Sequence, residues 1–225
     1  MADAAAVAPD KGSEPVNAST QKLSIAGPTG LLEVLFDEPA RSAHPATGGV
    51  AVIAHPHPLF GGTMDNKVVQ TLARAFVQCG WRAVRFNFRG VGRSAGSHDD
   101  GRGELDDLLA VVRQCAPSGP LALAGFSFGA FVASHAVLAL HDARRIEHIV
   151  FVGTAASRFP VAPIPVDLRD KALVIHGELD ETVPLADVFD WVRPQNLPVT
   201  VIAGASHFFH GQLGLLRSLV ARHLN

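Results

Sequence analysis

Cysteine is scarce in this 225-residue chain, positive charge is not in excess, and long apolar runs are missing. The two cysteines, Cys79 and Cys115, are too few for a disulfide framework in a chain long enough to build its own core. Each falls late in a segment with helical periodicity and reads as a buried or half-buried thiol. Nineteen basic side chains against 21 acidic ones leave a net charge of −2. No net positive field exists to collect phosphates, which argues against a nucleic-acid binder. No stretch approaches the length of a membrane span. The first twenty residues lack the basic start and continuous apolar stretch of a secretory signal, and read as a flexible tail of Ala, Pro and Ser. These absences lead us to expect a soluble, cytoplasmic protein without a membrane partner.

What is present is a core and many turns. Hydrophobic residues make up 48% of the chain, enough for one substantial interior and too many for a disordered one. Twenty-one glycines and 15 prolines exceed what a helical bundle tolerates. After the tail, Lys22–Ile25 and Leu31–Phe36 flank Gly-Pro-Thr-Gly as a β-hairpin. Gly49–Ala54 is continuously apolar, as a strand covered on both faces should be. Val69, Leu72, Ala73, Phe76 and Val77 form one helical face, with Asp65 or Asn66 as cap and Gly80 as stop. The strand Arg82–Phe88 and a helical stripe Leu105, Leu108, Leu109, Val112 follow. Strands Leu121–Phe126, Ile149–Gly153, Lys171–His176 and Val199–Ile202 then alternate with helices over Phe128–His141, Leu185–Val192 and Gly211–Leu224. Such alternation predicts one α/β domain over residues 21–225, with a mostly parallel sheet and helices on both faces. Chemistry in such sheets collects at the carboxyl ends of the strands.

Leu121–Phe126 runs through Gly125-Phe126-Ser127-Phe128-Gly129 directly into a helix. The G-x-S-x-G pattern is weak alone but strong in that context, where a sharp turn pushes the serine hydroxyl outward between small residues. The helix N-terminus and the amide of Phe128 then face an oxyanion formed at the serine's target. A serine hydroxyl needs a base, and the base needs an orienting carboxylate. The next strand ends carry His176-Gly-Glu-Leu-Asp180-Glu-Thr-Val-Pro184 and Gly204-Ala-Ser-His207-Phe-Phe209.

With GFSFG, HGELDETVP and GASHFF in this order, the sequence resembles the α/β-hydrolase superfamily over roughly residues 22–224. The resemblance implies the α/β-hydrolase fold, with Ser127 as nucleophile, His207 as general base and acid, and Asp180 as the carboxylate holding the imidazole. Glu178, Glu181 and Asp187 are neighbouring carboxylates, but Asp180 fits H-G-x-x-D-x-x-V-P. His210 and His223 read as solvated or core-edge residues, and His176 as a packed strand-end residue.

In the family, the loop after Gly49–Ala54 supplies a second oxyanion N–H. Here it reads His55-Pro56-His57-Pro58-Leu59-Phe60-Gly61-Gly62, where most members have His-Gly. Alignment on His55 places the backbone N–H of His57 at the donor position; Pro58 has none, and Leu59 is the runner-up. The stretch HPHPLFGGTMDNKVV resembles that of a subgroup of small bacterial hydrolases. Two other patterns compete. His55-x-His57 can be a metal-ligand pair, but no third ligand is evident, so no metal is expected. Gly90-Val-Gly92-Arg-Ser-Ala95 mimics a dinucleotide fingerprint, yet the next helical stripe starts only at Leu105. It resembles instead the R-G-x-G-x-S turn of the hydrolases, whose job is backbone geometry and one wall of the site.

Lipases and many esterases insert a cap after the strand that follows the nucleophile helix. Here that interval is residues 154–170, only 17 residues, broken by Pro160, Pro163 and Pro165. An open, lidless site is expected, with Phe60, Phe128, Phe159 and Phe208 or Phe209 available to line it. The chain thus reads as a cofactor-independent serine hydrolase for small carboxylic esters. Thioesterase, amidase or acyltransferase activity on the same triad, or a non-catalytic ligand-binding scaffold, are the alternatives. A small ester or thioester is the expected partner, and the chain reads as monomer or homodimer.

Overall fold

The computed structural model describes residues 20–39 and 48–225. Residues 1–19, which hold nearly all of the expected tail, lie outside the described residues; Thr20 already belongs to the first strand. The strands are β1 (Thr20–Gly27), β2 (Gly30–Asp37), β3 (Val50–Ala54), β4 (Arg82–Phe86), β5 (Leu121–Phe126), β6 (Ile146–Val152), β7 (Ala172–Gly177) and β8 (Val199–Ile202). They form one sheet in the order β1-β2-β4-β3-β5-β6-β7-β8. The β1–β2 and β2–β4 pairs are antiparallel and the others parallel. The helices are α1 (Lys67–Gln78), α2 (Arg102–Cys115), α3 (Phe128–Leu140), α4 (Leu185–Val192) and α5 (Leu213–Leu224). None of the described helices is long and apolar enough to cross a membrane.

Continuous apolar strands serve two cores at once, because successive side chains point to opposite faces. Val50, Val52, Leu121 and Leu123 join Leu108, Val111, Phe131 and Val188 in the core beneath α2, α3 and α4. Ala51, Ile53, Ala122, Ala124 and Phe126 join Leu72, Phe76, Leu216 and Val220 in the core beneath α1 and α5. Asn66 caps α1, its Oδ1 accepting the Val68 N–H at 2.9 Å. Helix α3 is apolar nearly all round and accordingly lies against the central strands rather than at the surface. Cys79 and Cys115 are free, buried thiols, and burial pushes the Cys115 thiol up to about 11.

Six of the eight strands differ from expectation at one end or both, and two of these differences have a plain cause. β4 ends at Phe86 rather than Phe88, because one residue past Asn87, which still faces β2, the Phe88 amide turns out of the sheet. Asn87 donates to the Glu33 carbonyl at 2.9 Å, and Phe88 donates to the His55 ring at 3.1 Å. β6 starts at Ile146, three residues before the expected Ile149, since Ile146 pairs with Leu121 across an irregularity in register. The segment Gly90–Ala95 is not the mouth of a helix, as α2 begins only at Arg102. It is tied down by Ser94, whose hydroxyl donates to Asn87 O (2.7 Å) and accepts from Glu33 N (3.0 Å). Arg89 closes the other end with a bidentate pair to Asp107, at 3.0 and 2.9 Å. The turn shapes the backbone and contributes no residue to the cavity described below.

Candidate active site

The chain turns from β5 into α3 at Ser127, which has φ 57° and ψ −117°. A non-glycine residue in that region costs about 1–3 kcal/mol, held here by the packing on either side. Gly125 and Gly129 permit the turn to be tight. A Cβ on Gly125 would lie 2.4 Å from the backbone of Gly129, and one on Gly129 would lie 2.3 Å from the Ala54 carbonyl oxygen. The Ser127 amide is fixed by donation to Val152 O at 2.9 Å, so the hydroxyl is carried at the crest. Replacing Ser127 by glycine is expected to raise stability by about 1 kcal/mol through relief of this strain. Chemical denaturation of Ser127→Gly beside Ser127→Ala checks it; equal midpoints for the two variants would show an unstrained turn.

The loops after β7 and β8 bring Asp180 and His207 to this crest. His207 Nε2 lies 3.1 Å from Ser127 Oγ, and His207 Nδ1 lies 2.7 Å from Asp180 Oδ2. The other oxygen of Asp180 accepts the amides of Thr182 (2.9 Å) and Val183 (2.8 Å). Burial pushes the Asp180 carboxyl up, but the His207 ring and the Val183 amide outweigh it, and the group is held below the ordinary carboxylate range. His176 is buried beneath the acid loop and donates from Nε2 to Val183 O at 2.9 Å. Burial depresses its basicity, so a neutral ring supports the loop. Gly153 makes room for the base, since a Cβ there would lie 3.2 Å from His207 Cε1. Of the competing carboxylates, Glu178 is exposed and accepts the Gly204 amide at 2.8 Å, tying the acid loop to the histidine loop. His210 is exposed, and His223 donates to the Lys171 carbonyl at 3.1 Å, away from the serine.

The His55–Gly62 loop faces Ser127 from the other side. His55 is fully buried, and burial lowers its pKa to about 4. Its Nε2 accepts from Phe88 N–H, so the proton sits on Nδ1, 2.6 Å from Pro56 O. Both nitrogens are engaged, and His55 has no lone pair left for a metal. In a trans peptide the N–H opposes the C=O, so anchoring Pro56 O against His55 aims the His57 N–H the other way. The His57 carbonyl is held by the amides of Phe60 (3.1 Å) and Gly62 (3.0 Å). Among the described residues, no backbone carbonyl accepts the amide of His57 or of Phe128. The Leu59 amide is already spent on His57 Nδ1 at 3.2 Å, and Leu59 does not reach the cavity. Of the donors expected from the sequence, Phe128 and His57 are thus the ones whose amides stay available.

A cavity of about 380 Å³ opens in front of Ser127. Phe60, Phe128, Phe159 and Phe208 line it, whereas Phe209 is buried in the core beneath α1 and α5. The His57 ring packs against Phe60 and Phe128, with centroids 4.7 and 4.9 Å apart. Residues 154–165 cross the rim as an irregular loop that enters a short 3-10 turn, Val166–Lys171, and no cap is inserted there. Sequence reasoning missed His55 as the strut of the loop, Gly153 as the space for His207, and Arg158 on the cavity wall. An H-x-H at a strand end with no third ligand was the signal for the first; the other two leave no local trace.

Comparison with known proteins agrees with this fold. The sequence profile of the alpha/beta hydrolase fold matches residues 57–168. A serine hydrolase without a lid from Xanthomonas campestris is 37% identical, covers 94% of this chain and 96% of its own, and superposes with a TM-score of 0.82. An alpha-beta serine hydrolase homologue from Coxiella burnetii is 39% identical over 91% of this chain and 97% of its own, with a TM-score of 0.75. An uncharacterized Rickettsia prowazekii protein is 32% identical over 200 residues, 81% of this chain and 79% of that protein. The strand order, the strained serine at the β5–α3 turn and this kinship together place the chain in the α/β-hydrolase family, in a form without a cap domain.

Proposed function

We propose that this chain is a serine esterase, hydrolysing small carboxylic esters through Ser127, His207 and Asp180. The observation that carries the reading is the continuous hydrogen-bonded chain Ser127–His207–Asp180 at the wall of an open cavity. Ser127 Oγ attacks the acyl carbon while His207 Nε2 takes its proton. Asp180 holds Nδ1–H and stabilises the imidazolium. The amides of Phe128 and His57 receive the oxyanion of the tetrahedral intermediate. Collapse expels the alcohol, protonated by His207; water then enters and repeats the sequence on the acyl-enzyme. All groups come from the chain itself. The same reading takes residues 21–225 as one hydrolase domain. It also assigns a cytoplasmic location, supported by two buried thiols that remain free.

Small esters are favoured over long-chain ones because the cavity, about 380 Å³, is uncovered, with exposed Phe60 and Phe208 at its mouth. A fluorophosphonate probe is expected to add once per chain, on the peptide containing Ser127. Folded protein that remains unlabelled, or is labelled elsewhere, would remove Ser127 as nucleophile.

A further inference from the structure

We propose that Arg158 makes this site selective for esters that carry a carboxylate group. The inference rests on the esterase reading and names the substrate class of the same cavity. Of the side chains lining that cavity, Arg158 is the one Lys, Arg, Asp or Glu, and no carboxylate shares the wall with it. The remaining surface is largely aromatic. Among the described residues, the Arg158 guanidinium forms no ion pair and no hydrogen bond. A permanent cation beside an apolar wall, without an internal partner, leaves its five donors for the ligand.

Its position is built rather than incidental. The amides of Arg158 and Phe159 both donate to Ala155 O, at 3.2 and 3.1 Å, which closes the chain into a turn. Phe159 stacks on Phe131 of α3, with centroids 4.8 Å apart and planes 18° from parallel. His135 donates to Pro160 O at 2.9 Å. The turn is thus pinned to the nucleophile's own helix, with Arg158 held at the mouth. The charge reaches the interior of the site: with burial and the neighbouring His98, it lowers the basicity of His57. Two acidic residues act in the opposite sense, but neither lies on the cavity. Glu104 is occupied by His98 Nδ1 (2.9 Å) and by the amides of Asp99 (3.0 Å) and Gly101 (2.8 Å). Asp100 projects outward, 3.4 Å from His98 Nε2. A guanidinium binds a carboxylate through two parallel N–H donors, which suits an ester bearing that group a few bonds from its carbonyl.

Two matched pairs of substrates test this. Mono-4-nitrophenyl glutarate against 4-nitrophenyl pentanoate places the carboxylate on the acyl side. 4-Acetoxybenzoate against its methyl ester places it on the leaving side. For each pair the ratio of kcat/KM, anionic over neutral, is measured for the wild-type protein, Arg158→Gln and Arg158→Lys at low ionic strength. In at least one pair the ratio is expected to fall about 10-fold in Arg158→Gln and less in Arg158→Lys. The wild-type ratio should also fall several-fold at about 0.5 M NaCl. The pair that responds tells which side of the ester carries the carboxylate. Ratios equal in the wild type and Arg158→Gln for both pairs would overturn the proposal. Ser127→Ala, run alongside, separates two failures. If it is inactive while the ratios stay fixed, only the role of Arg158 is lost; if it retains turnover, the esterase reading itself is wrong.

Discussion

Ser127→Ala is expected to lower kcat for a small aryl ester by about 10⁴- to 10⁶-fold, with little change in stability. The loss is large because, among the described residues, His207 Nε2 has no hydroxyl partner other than this one, 3.1 Å away. It is not total in principle, since amides that stabilise an oxyanion still favour attack by water. Stability is spared for a local reason. The bonds that hold the turn are backbone bonds: Ser127 N–H to Val152 O, and Ser127 O from the amides of Ala130 and Phe131. Alanine keeps all three, and keeps the Cβ that strains the turn, so the crest retains its shape. Steady-state hydrolysis of 4-nitrophenyl acetate and a thermal melt decide the matter together. Residual activity above a few per cent in a folded variant would mean that another group attacks the ester.

Asp180→Asn is expected to cost about 10³- to 10⁴-fold in kcat while barely moving KM. The argument turns on which atom an asparagine must place where. Two amides, Thr182 and Val183, already donate to Asp180 Oδ1. The carbonyl oxygen of an asparagine has to take that position, which turns its NH₂ toward His207 Nδ1. That nitrogen then accepts instead of donating, so the proton moves to Nε2 and the ring can no longer take one from Ser127. The wild-type carboxylate also bears on stability. Its pKa is depressed in the folded protein, so it stabilises the fold above its unfolded value, about 3.9, and that contribution fades as pH falls through the folded value. Unfolding free energies of the wild type and the variant should therefore converge as pH is lowered below about 4. A gap that stays constant from neutral to acid pH would deny that Asp180 is the group titrating. A full-activity Asp180→Asn would move the orienting role elsewhere.

How much of this was legible in advance depends on how local each feature is. Strands β5 and β8 and helix α4 have the boundaries expected from periodicity alone, because each is bracketed by residues that stop it. Ser127, Asp180 and His207 could be picked out because each follows its own apolar strand. A parallel sheet aligns those strand ends on one edge whatever the intervening loops do. The end of β4 was not legible, because the Phe88 amide finds its acceptor in the His55 ring, 33 residues away along the chain. The choice between Phe208 and Phe209 was equally hidden. The backbone at Phe209 takes φ 53°, which sends that ring into the core and leaves Phe208 on the cavity.

His55 shows the boundary most clearly. As a sequence feature it is half of an H-x-H and open to a metal. In three dimensions one nitrogen meets an amide from β4's end and the other meets a carbonyl of its own loop, which leaves it as a strut behind the His57 peptide. Arg158 is the converse case, an ordinary loop arginine until the stacking of Phe159 on Phe131 sets it on the wall of the serine's cavity. The sequence by itself determined the alternation of strands and helices, the order of the three site residues and the shortness of the segment where a cap would stand. These depend on periodicity and spacing along the chain. The tertiary structure alone decided which amides are left unpaired, which ring lines the cavity and which charge faces it. Those depend on hydrogen-bond partners and packing surfaces contributed by distant segments, and no local pattern encodes a partner that arrives from elsewhere.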